Sequence, residues 1–190
     1  MINYQTGSLL KKYHNIPITI HFKQVKLKIK ELKPYLNPKK FNTYCEACPN
    51  HSQKWTCPPN CPPFDDYAKD YSHITLYLFY TSPNQFEKAK NKDKALDAYN
   101  FIKEELQNYL REVEPSTGKM IAANSCELCK TCGLVDEKEC YMPNKMRYNL
   151  VAFGFNVNQL MTDLFQHELQ WATKNQTPNF VSSVGAILKK

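Results

Sequence analysis

Apolar and polar residues alternate first at Val25, Leu27 and Ile29, which are interleaved with Lys26, Lys28 and Lys30. That is the period of a strand with one buried and one wetted face. Lysines on alternate positions predict an edge strand, and Leu32 leaves a short helix as the local alternative. The stretch His73 to Tyr80, HITLYLFY, is mostly apolar and rich in β-branched and aromatic residues, which predicts a central strand. Ser82 is then placed to cap a helix, with Pro83 at its first position and Gln85 completing a capping box. Phe86 and Ala89 begin an apolar stripe, which can break at the lysine-rich stretch from Lys88 to Lys94. Tyr99, Ile102, Leu106, Tyr109 and Leu110 continue it at helical spacing, and Pro115 to Gly118 ends it. Asn156, with Gln159 three positions on, predicts a further helix burying Val157, Leu160, Met161, Leu164 and Phe165. Phe180 to Leu188 reads as a last strand, with Gly185 marking a bulge or a close approach.

Between these elements lie two stretches without a period. Residues 41–70 contain Pro49, Pro58, Pro59, Pro62 and Pro63, which excludes regular helix and stiffens a loop. Residues 120–147 follow a short apolar lead-in, Met120 to Ala123. The pattern predicts an α/β or α+β fold: a small sheet with packed helices and two cysteine-rich metal-binding loops, 41–70 and 120–147, in a single domain over residues 1–190. It leaves the strand order open.

Composition narrows the chemistry. Only 5 of 190 residues are glycine, and no glycine-rich phosphate cradle is present, which argues against a nucleotide fold of the usual kind. The N-terminus lacks the apolar core of a signal peptide. No run approaches the ~18 apolar residues of a membrane span. The expectation is a cytoplasmic protein, where paired C-x2-C spacings favour metal over disulfides.

All 8 cysteines fall in the two loops. The second group, Cys126, Cys129, Cys132 and Cys140, has successive spacings of two and then seven, with Pro143 just beyond. Three thiolates so spaced suit a [4Fe-4S] cube, and Gly133 can take a backbone angle that other residues resist. The first group, Cys45, Cys48, Cys57 and Cys61, resembles two knuckles, so zinc rivals a cluster more strongly there. His51 and His73 could each supply a nitrogen, although a surface or hydrogen-bonding role is the simpler expectation. Trp55, two residues before Cys57, is expected to pack over the metal. Asp65 and Asp66 are adjacent and are expected at the surface.

The segments YCEACPNHSQKWTCPP, from Tyr44, and SCELCKTCGLVDEKECYMPNKMR, from Ser125, followed by Gly154 and Val157, resemble the DUF2284 family of predicted metal-binding proteins over roughly residues 41–188. The resemblance implies family cysteines at the positions of Cys45, Cys48, Cys57, Cys126, Cys129, Cys132 and Cys140, and Pro58, Pro59, Pro143, Met146 and Arg147 match the family pattern too. Asn124 stands where the family tends to have glycine, and Tyr148 and Asn149 where it tends to have Pro-Ser. Cys61 lies outside the family pattern. The resemblance implies metal binding and an anaerobic setting, but no reaction.

The expected function is therefore an iron–sulfur protein with two [4Fe-4S] clusters, carrying electrons or feeding them to a larger redox enzyme. An enzyme with an open iron, a structural zinc-binding interaction module and a metal- or cluster-handling protein are the alternatives. A redox partner protein is expected, with no membrane span, and nucleic acid is disfavoured. Two such sites would bring the formal charge of +7 down to about +3, since a four-thiolate cube or zinc site carries about −2.

Overall fold

The computed structural model describes residues 4–86, 93–173 and 176–190. Its architecture is mixed α/β, an antiparallel sheet with helices packed on both faces. The strands are β1 (Gln5–Tyr13), β2 (Ile16–Lys28), β3 (His73–Thr81), β4 (Lys119–Ile121) and β5 (Val181–Lys189). They lie in the order β1-β2-β3-β5-β4, and every pairing is antiparallel. The helices are α1 (Pro38–Glu46), α2 (Phe64–Ala68), α3 (Lys94–Thr117) and α4 (Val157–Phe165).

Alternation assigns the two faces of the sheet. Val25, Leu27, Ile74, Leu76, Leu78, Ala186 and Leu188 pack with α2 and α4. Ile18, Ile20, Tyr77, Phe79, Val181 and Ile187 pack with the Ala98, Ile102, Leu106 and Leu110 stripe of α3. The central strand and both main helical stripes thus follow the pattern of apolar residues.

Several expectations change. The lysine-bearing strand β2 is not an edge, because it lies between β1 and β3. A two-residue turn at His14 and Asn15, with φ of 46° and 68°, folds β1 back on it, as hairpin turns require. Lys26 and Lys28 remain exposed. Ile29 leaves the strand for a 3-10 turn, Ile29–Tyr35, which buries Leu32, so the helical alternative holds there.

Among the described residues the expected helix at Ser82 is a 3-10 turn over Pro83–Phe86. Gln85 does not complete a capping box. Its amide instead receives Thr19 N–H at 2.8 Å and donates to Thr19 O at 3.0 Å, tying the turn to β2. The long helix starts at Lys94, where Asp93 Oδ1 accepts from the N–H groups of Ala95 and Leu96, each at 3.0 Å. Ala89 and most of the Lys88–Lys94 stretch lie outside the described residues. Asn156 does cap α4, accepting from Gln159 N–H at 3.2 Å. Gly185 marks a close approach and not a bulge: pairing with Tyr77 is in register, and an added Cβ would stand 2.5 Å from Leu110 Cδ1. Among the described residues no helix is long and apolar enough to cross a membrane.

Candidate functional site

Asn37 caps α1, accepting from Lys40 N–H at 3.1 Å, with Pro38 at the first position. The helix delivers Cys45 to its last turn. Beyond it the chain advances by hydrogen-bonded turns, as its prolines require. Cys48 N–H donates to Cys45 O at 2.9 Å, His51 to Cys48 at 3.0 Å, Cys57 to Lys54 at 3.0 Å and Asn60 to Cys57 at 3.0 Å. The Pro58–Pro59 peptide is cis.

These turns leave Cys45 and Cys57 buried, Cys48 exposed and Cys61 half-buried. Cys45, Cys48 and Cys57, with His51, line a cavity of about 240 Å³. Cys61 is not part of its wall and packs against the core that holds α2 and α4. Its thiol donates to Pro62 O at 3.6 Å. Burial, reinforced by Cys57 and Cys45, pushes it up to about 12. Burial likewise raises the thiols of Cys45 and Cys57.

In the second loop, Cys126, Cys129, Cys132 and Cys140 border a pocket of only about 20 Å³, closed by Trp55, Met142 and Met146. Trp55 therefore covers the second group of cysteines, not the first beside which it stands in sequence. Its Nε1 donates to Lys138 O at 3.1 Å. Lys54 Nζ donates to Cys126 O at 2.8 Å, and Cys126 N–H donates to Thr56 Oγ1 at 3.3 Å. Residues 54–56 are thus a clasp between the loops. Gly133 does not carry the left-handed angle expected of it. An added Cβ there would stand 2.4 Å from Glu139 O, so close packing of the backbone is what requires glycine.

Bordering a pocket is not coordination. Among the described residues, no group of three or more His, Cys, Asp and Glu side chains could hold a metal ion. This overturns the expectation of two [4Fe-4S] clusters and that of zinc at either loop. With them fall the electron carrier, the open-iron enzyme and the zinc module built on those metals. The physical reason is geometric: a metal site needs three or four ligand atoms meeting at one point, and no such group forms among the described residues. Burial raises the thiols of Cys45, Cys57, Cys61 and Cys126. The sequence spacing set turns that bring Cys45, Cys48 and Cys57 to one cavity, but not a group able to hold a metal ion among the described residues. His51 and His73 make local hydrogen bonds, to Ser52 Oγ at 3.2 Å and Ser72 Oγ at 2.7 Å. Asp65 and Asp66 are exposed in the first turn of α2.

The structure adds residues that the motifs did not mark. Tyr99, Ala123, Val151, Val157 and Val184 stand in the wall of the thiol-lined cavity and also in that of a second chamber of about 340 Å³. The two are compartments of one cleft. The second is walled by Leu96, Met161, Leu169 and Trp171. Tyr99 was expected in the buried stripe of α3 and is instead 39% exposed in this wall. Trp171, 76% exposed, stands outside any periodic element and is a signal available to sequence reading. At the start of β5, Ser182 Oγ lies 2.8 Å from His167 Nε2. Ser183 Oγ is buried without a hydrogen-bond partner among the described residues. Both serines line the second chamber. His167 packs against Tyr80 and Phe180, with ring centroids 4.9 and 4.5 Å apart.

The model of one protein family, described as "Predicted metal-binding protein (DUF2284)", matches residues 33–188. No curated protein and no solved structure matches the chain.

Proposed function

The chain belongs to the DUF2284 family, and from that premise we propose that it binds a neutral, largely apolar small molecule in the two-compartment cleft. The observation that carries this reading is the shared wall of the two chambers, about 240 and 340 Å³ in volume. Together they have the size and apolar character of ligand sites, in which a few polar groups fix orientation. The apolar body of the ligand would lie against Leu96, Met161, Leu169 and Trp171. Its polar end would meet Asn50, Asn124 and Asn149, whose side chains line the thiol-bearing compartment. Among the described residues no lysine, arginine, aspartate or glutamate lines that compartment, and Asp93 stands in the wall of the other, which favours an uncharged group at the thiol-bearing end. The orphan hydroxyl of Ser183 supports the reading, because a buried unpaired donor gains a partner when a ligand arrives. Cys45, Cys48 and Cys57 then act as the ligand-facing thiols.

Titration with Nile red, a neutral apolar dye, tests the proposal through dye emission and quenching of Trp171. Val151 is 46% exposed and lines both compartments, so Val151→Trp should fill the cleft without disturbing the core. We expect at least a tenfold loss of dye affinity. Equal affinity in the variant and the parent chain rejects the cleft as the binding site.

A further inference from the structure

We propose that Cys45 and Cys48 form a reversible dithiol–disulfide couple that exchanges with low-molecular-weight disulfides. This goes beyond the binding of an apolar ligand and rests on a different observation, the turn that joins the two residues.

Cys48 N–H donates to Cys45 O at 2.9 Å. A turn closed by such a bond brings its first and last Cα within about 7 Å. A disulfide spans Cα separations of roughly 4.4–6.8 Å, so the two residues can be bridged with little backbone movement. Both line the same cavity, with space beside them for a reacting molecule. Their exposures differ in a useful way. Cys48 is open to solvent and Cys45 is buried in the last turn of α1. An incoming disulfide can reach only the first. Cys48 also stands close enough to raise the Cys45 thiol further, after burial, as two neighbouring groups that cannot both ionise do. In the second loop the spacings of two carry no such bond, since Cys129 N–H and Cys132 N–H do not donate to the preceding cysteine carbonyl among the described residues. The identical C-x2-C spelling therefore has different chemistry in the two loops.

The reaction balances with a disulfide RSSR as oxidant. Cys48, as the thiolate, attacks one sulfur of RSSR. A bond forms between Cys48 Sγ and that sulfur, and RS⁻ leaves and takes up the proton that Cys48 gave to solvent. Cys45 then loses its proton and attacks Cys48 Sγ, releasing the second RS⁻, which is protonated in turn. Two protein thiols are oxidised to one disulfide, and one RSSR is reduced to two RSH. An excess of RSH runs the same steps backwards.

The test equilibrates the full chain in glutathione buffers of graded ratio, quenches with acid and blocks free thiols. Blocked thiols are counted by intact mass, and the bonded pair is located by peptide mapping. The expected result is the loss of two of the eight thiols in one step, mapped to Cys45 and Cys48 and reversed by excess reduced glutathione. Cys45→Ser should halt at a stable glutathione adduct on Cys48, while Cys48→Ser should form no adduct at Cys45. Cys57→Ser, which removes the third thiol of the same cavity, should leave the couple intact. A bond between any other pair, a persistent adduct in the unaltered chain, or no oxidation at all overturns the proposal. The mapping on the unaltered chain decides this even if a variant fails to fold. No dye is present, so the outcome is independent of the result for the cleft.

Discussion

Trp55 donates its indole N–H to the carbonyl oxygen of Lys138 at 3.1 Å, across 83 positions of sequence. It joins the two cysteine loops, with Lys54 and Thr56 holding Cys126 on either side. Trp55→Phe keeps most of the ring and removes the donor. Losing one such bond should cost about 1 kcal/mol. Trp55→Ala also strips the cover from the pocket at Cys132 and Cys140 and should cost about 3 kcal/mol. Urea unfolding midpoints check both values. Limited proteolysis should show earlier cutting within residues 125–147 for the alanine variant than for the phenylalanine variant. Equal cutting of both would mean that the indole N–H, and not the ring, holds the loop.

Arg147 pairs through Nε with Glu114, whose Oε1 also accepts Met120 N–H at 2.8 Å. Arg147 Nη1 donates in addition to Asn144 O at 2.9 Å and Met146 O at 2.7 Å. The pair thus fastens the end of the second loop to α3 and β4. Both side chains are mostly buried, so Arg147→Ala leaves a carboxylate without its cation and should cost about 3 kcal/mol or more. Adding Glu114→Gln, which removes the charge and keeps an oxygen for Met120 N–H, to Arg147→Ala should recover part of that loss. A single Arg147→Ala variant as stable as the parent chain would rule out this anchoring role.

His167 makes stability depend on pH. Burial, with the Lys23 ammonium adding to it, pushes its imidazole down to about 4, against about 6.5 in an unfolded chain. The unfolded chain therefore takes up a proton at a higher pH than the folded protein does. The contribution is fully present above about pH 6.5 and is lost progressively as pH falls toward 4. It amounts to about 3 kcal/mol across that window. Melting followed at closely spaced pH values should show this slope in the parent chain and a flatter one in His167→Gln. Identical slopes in the two would remove His167 as the cause.

Ser183 buries a hydroxyl with no partner among the described residues. Removing an unsatisfied polar group is expected to be neutral or stabilising. Ser183→Ala should therefore raise the unfolding free energy, by about 1 kcal/mol, in the absence of ligand. Calorimetry of the ligand-free variant checks the sign. A destabilised variant would show that the hydroxyl already has a partner.

The sequence alone determined the elements whose signals are local. HITLYLFY became the central strand β3, the Phe180–Leu188 run became β5, and Asn156 capped α4 as read. Each depends on alternation, on helical spacing or on a cap within a few residues. The β1–β2 hairpin was missed because its turn, His14–Asn15, lacks the usual glycine. The lysines that suggested an edge are tolerated within the sheet because their side chains emerge on wetted parts of it. Gln85 was misread because its partner, Thr19, lies 66 positions away. The cysteines teach the same lesson about chemistry. The prolines of 41–70 did not exclude helix throughout, since α1 carries Cys45 and α2 follows Pro63, but between the two helices hydrogen-bonded turns acting over three or four residues place Cys48 and Cys57. Tertiary packing decided the rest: which thiols are buried, that Trp55 covers the other loop, and that Tyr99, Val151 and Val184 wall one cleft. Those outcomes depend on burial and on contacts between elements distant in sequence, and no local pattern of residues encodes them.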